Sequence, residues 1–302
     1  MVHPDTVKNE LQGDGFLKEV KADRLPDPEE LSENALKQYE SRYASLNPGT
    51  ITRNADHILQ ELLELERDIY IEQETEVYRE ALRIFLEEKY DTGQASLSAF
   101  AESETHQGEF SEYPQLQELF SQMEEIYRAE DGFTQVFSKI LPLLYPAMDA
   151  ISVSAQQSRR KRAGSSLRYH IENLVEKAGH SILTHDTAGN GHVYEVEAVD
   201  EEYSGTIYIS FLTTLRDRFR QSFSDSSLRN STEAQFIATG AGNDIFTSSS
   251  RSDITTRKVE EITDEGFTLI VFEGVKQDQH QDVSGVVSYR EFFSDRLPAD
   301  IA

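Results

Sequence analysis

The chain has 302 residues, no cysteine, and 29 basic against 55 acidic side chains, for a formal net charge of −26. The missing cysteine excludes disulfides, thiolate metal sites and thiol nucleophiles. No apolar run reaches the roughly 18 residues that span a bilayer, and Met1 to Phe16 lacks the basic start and apolar stretch of a signal peptide; the expectation is a cytoplasmic protein without a membrane partner.

Residues 1–50 are rich in charge, contain Pro26, Pro28 and Pro48, and have few aliphatics. They read as a flexible acidic arm, with a short helix over Ser32 to Tyr43 capped by Ser32. Residues 51–150 read as a helical domain. Ile58, Leu62, Leu65 and Ile69 recur at helical spacing, as do Val77, Ala81, Ile84 and Phe85. After a loop-like stretch from Asp91 to Tyr113, Pro114 opens a further helix through Leu119, Met123 and Tyr127. The next begins near Phe133 and is interrupted by Pro142 and Pro146. His57 and His106 stand alone among polar neighbours and read as surface histidines.

Residues 151–302 have a different texture. Leu167, Ile171, Leu174 and Val175 mark an amphipathic helix that ends at Gly179. Strand-like stretches follow at Val193 to Val199, Ile207 to Phe211, Phe236 to Thr239 and Thr268 to Phe272. Thr255 to Ile262 reads as a helix between the last two, with Gly266 as a turn. This order is that of an α/β domain.

Charge divides along the same line. Residues 1–150 hold 32 acidic and 13 basic groups, residues 151–302 hold 23 and 16, and within 151–230 the two signs balance at 10 each. A neutral zone in so acidic a chain is where an anionic partner is tolerated. Arginine outnumbers lysine 19 to 10, the acidic, lysine-poor balance of proteins from salt-loving organisms. In molar salt the Debye length falls to roughly 3 Å, so local contacts and not global charge decide binding.

Two blocks carry the chemistry. The first runs Gln157-Ser158-Arg159-Arg160-Lys161-Arg162-Ala163-Gly164-Ser165-Ser166-Leu167-Arg168-Tyr169-His170-Ile171-Glu172-Asn173-Leu174, and the second Thr213-Thr214-Leu215-Arg216-Asp217-Arg218-Phe219-Arg220-Gln221. Together they resemble the catalytic domain of EcoRII-type restriction endonucleases. That family has a basic cluster, Arg-Ala-Gly and His-x-Glu on a helix, then Thr-Thr-x-basic-Asp-Arg-aromatic-Arg-Gln. The resemblance covers roughly 155 to 275. It implies the PD-(D/E)xK fold, an α/β restriction-endonuclease-like mixed sheet flanked by helices, here preceded by an all-helical domain. In active members carboxylates on a helix and a strand hold Mg²⁺, and a lysine on the next strand assists the attacking water.

Carried over residue by residue, the resemblance sets Glu172 at the helix carboxylate. Glu195 stands in for the strand aspartate, although the usual Pro-Asp pair is missing, and a looser register sets His192 there instead. Leu212 falls at the catalytic lysine, and Lys177 and Lys258 are the nearest lysines on either side. Leucine neither donates a hydrogen bond nor carries charge, and losing one electrostatic contact of this kind costs about 10²–10³ in rate. Lys276 follows a different strand. His170 and Glu172 diverge by about 200° on a helix and do not line one site. The triplet Arg216-Asp217-Arg218 implies base reading, because arginine presents paired donors to guanine and aspartate accepts from cytosine. Arg220 follows it, and Arg159, Arg160, Lys161 and Arg162 suit phosphate contact.

Three readings stay open. The first is a sequence-selective binder of double-stranded DNA, with cleavage lost and no cofactor, acting in restriction or genome defence. The second is an active Mg²⁺-dependent endonuclease with Glu172 and Glu195 as catalytic and metal-binding residues. The third is a scaffold whose helical N-terminal half docks a protein partner. A two-fold DNA site implies a homodimer.

Overall fold

The computed structural model describes residue 9 and residues 25–90, 114–129, 132–188, 191–198, 204–215, 219–224, 229–242 and 253–297; at 80–90, 114–117 and some further positions it describes the backbone alone. Residues 1–8 and 10–24 of the acidic arm lie outside this set, but residues 28–42 of the arm form a helix that buries Leu31, Ser32, Ala35 and Tyr39. Helix α1 spans Pro28–Arg42 and starts four residues before the expected cap. Asp27 caps it, with its carboxylate accepting from the Glu30 N–H at 2.9 Å, and Pro28 takes the first helical position, where its missing N–H costs nothing. Ser32 is therefore not the cap. It lies fully buried within α1, alongside Leu31 and Ala35.

Helix α2, Pro48–Tyr90, kinks at Asn54. Helices α3, Pro114–Ala129, and α4, Phe133–Lys177, follow. α4 runs on through Pro142 and Pro146, against the interruption expected there, and through residue 151, where the sequence divides in texture. Each proline removes one backbone N–H donor, but the helix continues through both positions. By its contacts the chain forms two compact units, Asp27–Ile69 with Lys161–Ala302, and Met1–Pro26 with Tyr70–Arg160. These cuts fall elsewhere than at 51 and 151: the first apolar series of α2, Ile58 to Ile69, belongs with the α/β unit.

Gly179, at φ +94°, turns the chain out of α4 into β1, His180–Ala188, a conformation glycine adopts without strain. Then come β2, Gly191–Ala198, and β3, Ser204–Leu212. The short helix α5 is Phe219–Phe223, followed by β4, Ala234–Thr239, helix α6, Thr256–Asp264, and β5, Thr268–Val271. Helix α7, Glu273–Gln279, β6, Val286–Ser288, helix α8, Tyr289–Glu291, and a π-helical turn, Phe292–Arg296, close the chain. The six described strands pair in the order β1-β2-β3-β4-β5-β6, antiparallel up to β3 and parallel beyond it. β3 is thus the central strand where direction changes, and it is buried from Ile207 to Leu212. Apolar residues of α1, α2, α4 and the strands form one core, in which Leu167, Leu174, Tyr194, Tyr208 and Phe236 are fully buried. Each fully buried leucine or phenylalanine of this core contributes about 1.5–3 kcal/mol.

Helix α7 is capped from outside, and α8 adds an outside acceptor to its own Ser288–Glu291 capping box. The residue before α7, Phe272, offers no side-chain acceptor, so Asp56 of α2 supplies one. Its two oxygens accept from the Glu273 and Arg290 N–H groups, each at 2.7 Å. Burial raises the Asp56 carboxyl to about 6, against the lowering pull of these two bonds. The folded chain therefore holds a proton that the unfolded chain releases near pH 4, and stability falls as pH rises from about 4 to about 6. An Asp56→Asn variant lacks this titration. Its stability relative to wild type, read from urea unfolding, is expected to improve across that window by roughly 2 kcal/mol. A pH-independent difference contradicts the assignment.

Candidate nucleic-acid interface

Alternation along β2 decides which residues meet. Tyr194 donates to Glu172 Oε1 at 2.6 Å, which fixes the face of β2 turned toward α4. His192 shares that face, its ring 6.0 Å from Tyr194 and edge-on to Phe211 of β3 at 5.7 Å. Arg168, one turn before Glu172 on α4, comes within 3.7 Å of the same carboxylate and lies over the Tyr169 ring. Burial raises the Glu172 carboxyl, with Tyr194 and Arg168 pulling the other way. Burial, then the Arg168 charge, lowers the His192 imidazole to about 4. The cluster is the Glu172 carboxyl held by Tyr194 and Arg168, beside a histidine that is uncharged at neutral pH.

Glu195 does not join it. Neighbours on a strand point to opposite faces, so with Tyr194 turned to α4, Glu195 faces away. It pairs across the sheet with Thr206, on the same alternation as Tyr208, Ser210 and Leu212. Six residues of strand separate Thr206 from Leu212, roughly 20 Å. The structure thus disperses the three positions taken from the nuclease pattern. Glu172 and Glu195 cannot bind one ion, and Leu212 neighbours neither. Of the two residues weighed for the strand position, His192 shares the Glu172 face. Among the described residues no group of three His, Asp or Glu is placed to hold a metal ion, and the two carboxylates taken from the nuclease pattern, Glu172 and Glu195, lie on opposite faces of β2.

Leu212 is 3% exposed at the end of β3, opposite Thr239 of β4, and its carbonyl accepts from the Gly240 N–H at 2.9 Å. Arg216, Asp217 and Arg218 lie outside the described residues. The residues on either side of them, Leu215 and Phe219, are both fully buried. Arg220 is exposed, its guanidinium held by both oxygens of Glu261, which lowers that carboxyl. Lys276 is bound to Glu291, so it is no substitute for the missing lysine.

The basic run has inward partners. Arg159 is bound by Glu74, a carboxylate 2% exposed. Arg162 is bound by Glu66 and is 13% exposed, so its guanidinium is engaged inward. The side chains of Arg160 and Lys161 lie outside the described residues. Glu66 is the hub of a buried network. Ser166 donates to it at 2.5 Å, and His170 Nε2 lies 2.7 Å from its other oxygen. His170 Nδ1 meets Ser32 Oγ at 3.1 Å, and Asn173 donates to Ser32 at 3.0 Å. Burial pushes the Glu66 carboxyl up, but His170, Arg162 and Ser166 outweigh it and hold it below the ordinary value. His170 and Glu172 do diverge on α4, the first toward α1 and α2, the second toward β2.

No protein-family model and no curated protein matches the chain. In structure it is similar to metal-depleted Ecl18kI in complex with uncleaved DNA, at TM-score 0.58 and 13% identity over 98% of this chain and 84% of that one. A second complex of metal-depleted Ecl18kI, with uncleaved, modified DNA, gives TM-score 0.59 and 12% identity over 99% and 85%. The fold is restriction-endonuclease-like. In this restriction-endonuclease-like frame the likeness extends through the helical residues before the sheet, beyond the span of the sequence resemblance.

Sequence reasoning missed the Glu66 network and the Asp56 cap. Both join residues about a hundred or more positions apart, and Glu66 stands among Glu61, Glu64 and Glu72 with nothing local to mark it.

Proposed function

We propose that this protein reads double-stranded DNA sequence-selectively through Arg216, Asp217 and Arg218, and that it has lost efficient cleavage. The observation that carries the second half is the dispersal of the catalytic positions. Leu212 is buried and apolar where a lysine is needed, and Glu172 is engaged by Tyr194 and Arg168 on the face opposite Glu195. The first half is supported by the triplet's place directly after β3, between two buried anchors, and by the likeness to a protein solved on DNA. Two copies would meet a two-fold site, and such a reader would serve restriction, genome defence or their regulation. Neither Mg²⁺ nor another cofactor enters this reading.

Incubating supercoiled plasmid with the protein and Mg²⁺ or Mn²⁺, at low and molar salt, tests the loss of cleavage. The expected outcome is intact plasmid in every condition. Discrete fragments that Glu172→Ala abolishes would establish the active endonuclease instead.

A further inference from the structure

The first sixteen residues of α4 expose what a water-facing helix normally hides. Phe133 is 82% exposed, Phe137 51%, Leu141 42%, Tyr145 68% and Met148 53%. At 100° per residue the five fall within an arc of about 120°, a single stripe along one side of the helix. Phe133 and Phe137 already stack on each other, ring centres 5.8 Å apart. Exposed apolar stripes of this extent mark contact surfaces.

We propose that this stripe is where two copies of the chain pair. The area suits it. Large side chains of this kind bury about 150–250 Å² each, so the stripe presents roughly 600 Å², approaching the roughly 800 Å² per partner of a standard interface. Charge selects the occupant. From Phe133 to Met148 the only charged residue is Lys139, in a chain that is 28% charged with a net charge of −26. A charged partner finds no complement there. Two copies repel over most of their surface, but here they meet without opposing carboxylates, and charge depletion is the mark of an interface centre. Antiparallel two-fold packing sets Phe133 of one copy against Met148 of the other and brings the two Leu141 residues together near the axis. The pairing gives the proposed homodimer its surface, and it is tested without DNA, so its failure leaves DNA reading untouched.

Sedimentation of the full chain over a wide concentration range, at low and molar salt, is expected to show a monomer–dimer equilibrium that salt strengthens. Phe137→Glu with Leu141→Glu should weaken pairing about thirtyfold or more, with circular dichroism and melting unchanged because both positions are exposed. Because the chain has no cysteine, Leu141→Cys supplies a single thiol that should cross-link two copies under mild oxidation. Gln135→Cys, on the opposite side of α4, should not. A wild type that stays monomeric, including one that instead binds lipid vesicles through the stripe, overturns the proposal. So does a double variant that pairs normally, or cross-linking that does not distinguish the two cysteines.

Discussion

Replacing Glu66 with alanine is expected to lower stability by about 3–5 kcal/mol, the usual cost of removing one member of a buried ion pair. The carboxylate is 1% exposed and joins Arg162, Ser166 and His170 of α4, while His170 reaches on to Ser32 of α1. Without it the Arg162 guanidinium and the His170 Nε2 lose their carboxylate partner, and α1, α2 and α4 lose their shared polar anchor. Because the Glu66 carboxyl is held below its ordinary value, its contribution is present above the unfolded carboxylate range and fades as pH falls through the folded value. Urea unfolding of the variant near neutral pH checks this, and a loss below about 1 kcal/mol, the level of a surface pair, would contradict it.

The second large effect concerns DNA. Each bidentate arginine–guanine contact is worth about 1–3 kcal/mol of discrimination. Arg216→Ala with Arg218→Ala is therefore expected to weaken binding to a preferred site by about 30-fold to 10⁴-fold, leaving the weaker, salt-sensitive attraction to any duplex largely in place. Arg162→Ala is the contrast. Its guanidinium is bound by Glu66, so the change should cost stability and leave site preference unaltered in whatever protein stays folded. Equal losses of selectivity from both kinds of variant would mean that the basic run and not the triplet reads the DNA.

These two predictions rest on residues of different legibility. The helix at Leu167, Ile171 and Leu174, the buried strands from β2 to β5 and the helix after Thr255 were readable because periodic burial leaves a local signature. β1 was not. As the outermost strand it exposes Leu183 and carries polar residues throughout. β6, at three residues, is too short for any pattern. The prolines of α4 misled because a proline signals a break in sequence, whereas the helix runs on through both positions. The basic run shows the same limit from the other side. Arg159 and Arg162 look like phosphate ligands until Glu74 and Glu66, 85 and 96 residues earlier, are seen beside them. The likeness to a nuclease located Glu172, His192 and Leu212, but only strand alternation showed that Glu195 and Leu212 turn away from Glu172.

Selection of bound duplexes from a randomised pool, at low and at molar salt, tests the central claim most directly. A protein that reads DNA through Arg216, Asp217 and Arg218 enriches a defined site containing C·G pairs, recovered uncut in the presence of Mg²⁺, and the double arginine variant enriches nothing. A pool that emerges unselected from the folded wild-type protein would contradict the account.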